Sequence, residues 1–284
     1  MIPTPFDYAR ATSLDDAIAK LGSAGGSAKV IAGGHSLVPL MKLRLSEPQL
    51  LIDIARIPEL AGIREVDGRI EIGAATVHHA VAASALIQRV CPVVAAAAAA
   101  IGDQQVRNRG TIGGSLAHAD PSADYPAAML AADAEFHLKG PDGWRIVKAD
   151  TFFQDLFTVD LGTEEILAKV VIAPAPASAY AKLYQRASHF AIVGVAAALD
   201  ARGGTIRSAR VGVTGAGTHA QRLTGVEVAL TGRPASAETI EAASKSAADA
   251  LPVVNSDLHA SEDYRRAMVS VFTKRALTAA LARA

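Results

Sequence analysis

Two glycine pairs with hydroxyl side chains beside them are the stretches best suited to bind an anion. Gly33–Gly34 follows a short apolar run and precedes Ser36, and Gly113–Gly114 lies between Thr111 and Ser115. Glycine tolerates positive φ and lets a ligand approach the backbone closely. Consecutive N–H groups that point the same way form a concave anion site. One such pair is also typical of a plain strand-to-helix turn, but two in one chain favour a ligand with two phosphates, a dinucleotide.

Neither pair belongs to a common nucleotide-binding motif. No G-x-G-x-x-G follows a strand-like run, and Gly212–Gly217 has the wrong spacing for that fingerprint. A Walker A loop is also absent from the sequence. The glycine pairs therefore predict a phosphate-binding fold of another kind.

The acidic and histidine side chains do not form a recognisable catalytic or metal set. Asp120 and Asp124 are four residues apart, with no third ligand at metal spacing, so a sugar hydroxyl or a ring N–H is the better partner. His118 lies in the same segment and is a candidate ligand or base. His78–His79 falls on a predicted helix, where we expect a surface position and a helix end.

The segment from Gly102 to Tyr125 shows no apolar period of either 2 or 3.6. A compact domain seldom carries so long a loop unless the loop binds something. We therefore predict a long binding loop that contains Gly113–Gly114.

Helices and strands alternate around these segments. Ser13 is a predicted cap for a helix with an apolar stripe, and short buried strands precede Gly33–Gly34 and occupy Leu50–Ile54. Asp67–Gly68 predicts a tight hairpin. The sequence also predicts a helix capped by Thr76, an alanine-rich helix that starts at Pro92, a helix around "PAAMLAADA", a hairpin with a Pro-Asp-Gly turn and the strand "EEILAKVVIAP".

A change of pattern near Ala173–Ala179 predicts a domain boundary, because Pro174 and Pro176 break both helix and sheet. Three strands with an Arg-Gly-Gly turn and then two helices follow. In the last helix, we expect Tyr264, Met268, Val271, Phe272 and Leu277 to belong to the core. The fold class is α+β, with domains at 1–175 and 176–284.

Composition narrows the class of protein further. The chain has 284 residues, half of them hydrophobic, and Lys plus Arg equals Asp plus Glu at 28 each, so no global field favours nucleic acid or an anionic membrane. Cys91 is the single cysteine, which excludes an internal disulfide and a cysteine-ligated zinc or iron–sulfur site within this chain.

The start has no signal-peptide pattern, and the longest apolar run, Val93–Ile101, is too short to span a bilayer. We expect a cytoplasmic protein.

The stretches "AGGHSLVPLMKLRL" and "RNRGTIGGSLAHADPSAD" resemble the two FAD-binding loops of the medium subunit of molybdenum hydroxylases, closest to the aerobic carbon monoxide dehydrogenase branch. The likeness extends over the whole chain. It implies a two-lobed FAD-binding domain of the PCMH/VAO type, with lobes of about 1–55 and 56–175. A small C-terminal domain of three strands and helices would complete the chain.

The resemblance also assigns residues to the cofactor, with none catalytic and none bound to metal. Two loops would wrap the FAD pyrophosphate, Asp124 would contact the FAD, and Leu167 and Lys182 would line the flavin end. Phe190 stands where that branch has a tyrosine against the isoalloxazine, so it can stack but has no hydroxyl. The two loops comprise Val30, Ile31, Ala32, Gly33, Gly34, His35, Ser36 and Leu37, and Thr111, Ile112, Gly113, Gly114 and Ser115.

The implied assembly is a dimer of heterotrimers. A large subunit would carry the molybdenum cofactor and a small subunit two [2Fe–2S] clusters, while this chain holds non-covalent FAD and passes electrons to an external acceptor. The complex could bring the chain to the inner membrane face. The substrate, carbon monoxide or an aromatic or heterocyclic compound, would be set by the large subunit.

Two other functions stay open from the sequence. A stand-alone VAO-type flavin oxidase could link FAD covalently through His35, which follows Gly33–Gly34. An assembly protein that has lost FAD is the third reading, although both glycine pairs are intact.

Overall fold

Three sheets of three or more strands follow one another along the part of the chain described by the computed structural model, residues 2–249 and 251–284. Each sheet packs with its own helices around a hydrophobic cluster. The α+β class and the order of the predicted units are confirmed.

The first unit is a small parallel sheet. Its strands lie in the order β1-β3-β2. Its elements are β1 (Asp7–Arg10), α1 (Leu14–Ser23), β2 (Ala28–Ile31), α2 (Leu37–Lys42) and β3 (Leu50–Asp53). Ser13 caps α1 by accepting a hydrogen bond from the Asp16 N–H, as predicted. β2 ends at Ile31 because Gly33–Gly34 follows, and this places the first glycine pair at the carboxyl edge of the sheet.

The second unit is an antiparallel five-stranded sheet in the order β4-β5-β10-β6-β7, with a layer of short helices. A short 3-10 turn, Pro58–Leu60, precedes it. Its strands are β4 (Ile63–Val66), β5 (Arg69–Gly73), β6 (Glu135–Gly140), β7 (Gly143–Lys148), β8 (Phe153–Asp155), β9 (Thr158–Val159) and β10 (Ile166–Ile172), of which β8 and β9 pair separately. Its helices are α3 (His78–Ala83), α4 (Ala85–Val90), α5 (Pro92–Ala100), α6 (Gln104–Arg107), α7 (Ile112–His118), α8 (Tyr125–Ala131) and α9 (Ala149–Phe152).

Two predictions about the helices and loops of this unit are wrong. Thr76 does not cap a helix: its hydroxyl bonds the backbone of Gly62, and α3 begins after Val77. The segment from Gly102 to Tyr125 is not one loop, because α6 and α7 occupy much of it. Asp103 and Thr111 cap these two helices with their side chains, so local capping compensates for the missing apolar period.

The C-terminal unit is an antiparallel sheet in the order β11-β12-β13-β14 with three helices. Its elements are β11 (Ser178–Tyr184), β12 (Ala191–Arg202), β13 (Thr205–Thr214), β14 (Gln221–Arg222), α10 (Thr224–Leu230), α11 (Ala237–Lys245) and α12 (Glu262–Leu281). The short β14 and α10 add to the three strands and two helices predicted. In α12, Phe272 and Leu277 belong to the core as expected, whereas Tyr264 is 47% exposed and Val271 is 37% exposed.

Helices pack on both faces of the C-terminal sheet. Ala196 and Ala198 of β12 belong to the hydrophobic cluster of the second unit, whereas Val195 and Ala197 face the cluster that contains α12. Small alanine side chains allow α5 and α8 to approach this face closely. The C-terminal sheet therefore supports α5 and α8 of the second unit.

Candidate functional site

A cleft of about 680 Å³ runs between the first and second units. Its size is within the range of ligand sites in proteins, about 300–1,000 Å³. One wall comes from β2, the turn after it and α2, and the other comes from α7, the β8–β9 hairpin and the segment leading into β10. The cleft contains the two glycine pairs that the sequence singled out.

The turn Gly33–Ser36 has free backbone donors. Among the described residues, no protein acceptor bonds the backbone N–H groups of these four residues. Gly34 has φ +73°, which bends the backbone sharply between β2 and α2. Glycine takes this conformation without the strain that a Cβ atom brings. A run of free N–H groups at such a bend is suited to bind phosphate oxygens.

The backbone N–H groups of the second glycine pair are bonded within the protein, and the contact of this pair with FAD stays a prediction. The Gly113 N–H donates to the Ala74 carbonyl at 2.9 Å, and the Gly114 N–H donates to Thr111 Oγ1 at 3.2 Å. The Ser115 N–H donates to the Thr111 carbonyl. These donors are already used by the protein, so the pair is not a second free-amide cradle. A Cβ atom on Gly113 would lie 2.4 Å from that of Ala74, so this glycine lets α7 approach the sheet closely.

Close backbone approach also joins the two units at the cleft. A Cβ atom on Gly33 would lie 2.3 Å from the Arg109 carbonyl oxygen and 2.7 Å from the Gly110 Cα. A Cβ atom on Gly110 would lie 2.5 Å from His78 Nε2. The absence of a side chain at Gly33 thus sets how closely the two units meet, whereas its absence at Gly110 lets His78 pack against the backbone of the second unit.

His78 is buried at this junction, which corrects the surface position expected for it. It is 4% exposed and lines the cleft, whereas His79 is exposed. Burial lowers the pKa of His78 to about 4, with smaller contributions from His35 and Arg107. The ring is therefore neutral near pH 7, and its Nδ1 has no partner among the described residues.

Most of the residues assigned to the cofactor line this one cleft. The structure brings together Val30, Ile31, Ala32, Gly33, Gly34, His35, Ser36, Leu37, Thr111, Gly113, Gly114, Ser115 and Leu167. Ile112 does not line it, because its side chain is fully buried in the core of the second unit.

Asp124, Lys182 and Phe190 also lie outside the cleft lining. Lys182 Nζ is 2.8 Å from Asp124 Oδ1 and also donates to the Ala100 carbonyl, and the Tyr180 hydroxyl donates to Asp124 at 2.7 Å. Burial raises the pKa of the Asp124 carboxyl, and Lys182 and Tyr180 oppose this shift. Burial disfavours the charged form of Lys182 as well, and for a lysine this lowers the pKa. These side chains are each other's partners across β11 and the start of α8.

Phe190 is half-buried in the C-terminal unit. Its ring packs edge-on against His259, with 5.4 Å between ring centroids. Its stacking on a flavin stays a prediction, as do the cofactor roles of Asp124 and Lys182.

Several cleft residues carried no signal in the sequence. Phe157 lies in the turn between β8 and β9, and Ile101 follows α5. Neither residue belongs to a glycine pair or to a cluster of polar side chains, so only the tertiary arrangement reveals that they line the cleft. His118 was singled out in the sequence, and it lies in the cleft as the last residue of α7.

Residues 4–176 match the family described as the FAD binding domain in molybdopterin dehydrogenase. This chain belongs to that family. Residues 178–280 match the CO dehydrogenase flavoprotein C-terminal domain. The chain is accordingly an oxidoreductase flavoprotein component with FAD as its cofactor. The free N–H groups of Gly33–Ser36 and the size of the cleft fit the diphosphate of this dinucleotide.

Proteins of several complexes resemble the flavoprotein along its full length. It is 42% identical to the carbon monoxide dehydrogenase medium chain of Hydrogenophaga pseudoflava, with 100% of this chain and 99% of the relative covered. It is 38% identical to the 6-hydroxypseudooxynicotine dehydrogenase complex subunit alpha of Paenarthrobacter nicotinovorans, covering 100% and 97%. The solved carbon monoxide dehydrogenase from H. pseudoflava, which lacks the Mo-pyranopterin moiety, superposes with a TM-score of 0.95 at 42% identity, covering 100% and 99%. Among the described residues, no helix has the length and apolarity that crossing a membrane requires.

Proposed function

We propose that this chain is the FAD-binding electron-transfer subunit of a carbon monoxide dehydrogenase-like molybdenum hydroxylase. It takes electrons from [2Fe–2S] clusters of a small partner subunit and passes them to an external acceptor. A large partner subunit carries the molybdenum cofactor, and the chain itself does not touch the organic substrate. Bound FAD can exchange electrons singly or in pairs, which suits the last step of such a chain.

The observation that carries the proposal is the turn Gly33–Ser36, which lines the cleft and whose four N–H groups have no acceptor among the described residues. These donors would hold the diphosphate, and Val30 to Ala32 and Leu167 would line the path of the dinucleotide. The protein side chains in the cleft bind and orient the cofactor. His78 is neutral near pH 7, so it adds no charge beside the diphosphate.

The cysteine content of the chain supports the assignment of the [2Fe–2S] clusters to a partner subunit. Cys91 is its single cysteine and is buried, so a cysteine-ligated cluster must belong to another subunit. Relatives in this family are subunits of complexes for carbon monoxide and for a nicotine derivative. Carbon monoxide is our first substrate for the complex, and an aromatic or heterocyclic compound is the second.

Anaerobic reduction of the purified complex tests this function. The flavin absorbance near 450 nm is recorded after carbon monoxide is added, and in a second arm after an N-heteroaromatic compound is added. We expect bleaching with one of these reductants in the intact complex. We also expect no transfer to the external acceptor from a complex whose FAD has been removed. An FAD-depleted complex that still reduces that acceptor at the full rate would contradict the proposal.

A stand-alone oxidase with covalent FAD is the second candidate, because His35 is an exposed residue of the turn Gly33–Ser36 and lines the cleft. Acid precipitation separates the two functions. We expect the yellow chromophore to stay in the supernatant; a flavin that precipitates with the protein would favour the oxidase.

A further inference from the structure

The turn between β8 and β9 holds a large aromatic residue in an unfavourable position. Phe157 is 52% exposed and has φ +51°, a backbone conformation that is rare for a bulky side chain. A two-residue hairpin turn ordinarily places glycine, asparagine or aspartate at such a position. Neither burial nor backbone preference therefore explains a phenylalanine here.

Phe157 lies beside a second ring on the same wall of the cleft. The centroids of Phe157 and His118 are 5.1 Å apart, with 38° between the ring planes. Both residues line the cleft that contains Gly33–Ser36. Burial lowers the pKa of His118, so its ring is neutral near pH 7 and presents an uncharged aromatic face.

The turn that carries Phe157 is firmly held at its base. Phe153 of β8 packs edge-on against Phe136 and Phe152 in the core of the second unit. The Thr158 hydroxyl donates to the Leu156 carbonyl at 3.0 Å, and the Leu156 N–H donates to Asp155 Oδ1 at 2.8 Å. The exposed ring is thus placed over the cleft by a fixed hairpin. Backbone strain of this kind is concentrated at ligand-binding positions.

We propose that Phe157 and His118 form a stacking platform for one planar ring of the bound dinucleotide. This inference rests on the proposed function, and it adds two positioning residues outside the predicted cofactor loops. The shared chemistry is a flat heteroaromatic ring, which either the adenine or the isoalloxazine supplies. Stacking removes the exposed face of Phe157 from water, and this accounts for an apolar ring in the strained turn.

The full-length chain, freed of FAD and titrated with it again, tests the platform. Phe157→Ala should weaken FAD binding about 5- to 140-fold, the range of one lost ring stack. Phe157→Tyr should stay within about twofold of the unmodified chain. Leu156→Ala is the matched control, because Leu156 is 53% exposed in the same turn but does not line the cleft. His118→Ala should weaken binding, and His118→Phe should restore it.

Phe157→Gly separates an effect on FAD affinity from an effect on the stability of the fold. Glycine relieves the strain at φ +51°, so the FAD-free variant should melt at the same or a higher temperature while its FAD affinity falls. Titrations with ADP and with riboflavin identify the stacked ring: loss with ADP indicates adenine, and loss with riboflavin indicates the isoalloxazine. FAD affinities within twofold of the unmodified chain for both Phe157→Ala and His118→Ala would overturn the platform alone. An unmodified chain that binds no FAD would overturn the proposed function as well.

Discussion

Gly33 of the first unit lies directly against the backbone of Arg109 in the second unit, beside the cleft. A Cβ atom on Gly33 would lie 2.3 Å from the Arg109 carbonyl oxygen, a distance that real Cβ atoms do not reach. Since the obstacle is backbone rather than a flexible side chain, a side chain at position 33 must push the two units apart.

We therefore expect Gly33→Ala to reduce both stability and FAD affinity. Overpacking of this kind costs about 1–3 kcal/mol, and the displaced turn would no longer present its N–H groups correctly. Denaturant unfolding and FAD titration measure the two effects. Gly225→Ala is the control, because a Cβ atom at Gly225 meets nothing within 4 Å. Equal FAD affinities for the two variants would show that the contact does not shape the site.

The stability of the chain should fall between pH 7 and pH 5 because of His78. Burial lowers its pKa to about 4 in the folded chain, against a usual value near 6.5 in the unfolded chain. The unfolded state then binds the proton first as the pH falls, so His78 destabilises the folded state by about 2 kcal/mol at pH 5. His78→Phe should lose this part of the pH dependence. His79→Phe should keep it, since His79 is exposed. Parallel pH profiles for the two variants would contradict the assignment.

Removing only one partner of the buried Asp124–Lys182 pair should lower the free energy of unfolding. Both side chains are at most 6% exposed, so Lys182→Met leaves a buried carboxylate without its counter-ion. Breaking a buried pair in this way costs about 3–5 kcal/mol, and the double variant with Asp124→Asn should recover part of the loss. Arg202→Met is the control, because the Arg202–Asp200 pair is exposed. A double variant less stable than Lys182→Met would argue against a simple charge pair.

The Cys91 thiol should be unreactive in the folded chain. Burial raises its pKa to about 12, so almost no thiolate exists near pH 8. We expect a thiol reagent to modify Cys91 only as denaturant unfolds the protein, with both transitions at the same concentration. Rapid labelling in buffer would show that this part of the second unit opens locally.

Local signals in the sequence predicted many of the individual elements. The start of α1 was predicted from Ser13 and the start of α5 from Pro92, and the hairpin of β4 and β5 was predicted from Asp67–Gly68. These signals work because capping and turn preferences act within a few residues. Thr76 shows the limit of that reasoning. Its hydroxyl found a partner at Gly62, fourteen residues away, which no local rule anticipates.

The sequence indicated those cleft residues that belong to the glycine pairs or to the loops assigned by resemblance. It did not indicate the cleft residues that only the packing of the chain brings there. The turn at Gly33–Gly34 is visible in the sequence because the positive φ of Gly34 and the close backbone approach at Gly33 both favour glycine. The hydrogen bond from the Gly113 N–H to the Ala74 carbonyl depends on how α7 packs against the sheet, which the sequence does not show. Likewise, Phe157 enters the cleft only through the geometry of a short hairpin.

FAD titration of Gly34→Ala tests most directly the claim that the free N–H groups of Gly33–Ser36 bind the FAD diphosphate. Gly204→Ala is a close control, because Gly204 has φ +72° against +73° for Gly34 but lies in a hairpin turn of the C-terminal unit. Both variants bear the same backbone strain, about 1–2 kcal/mol. We predict that Gly34→Ala binds FAD and ADP at least about tenfold more weakly than Gly204→Ala, the loss of one charge-assisted hydrogen bond. Equal FAD affinities for the two variants would contradict this account of the cleft.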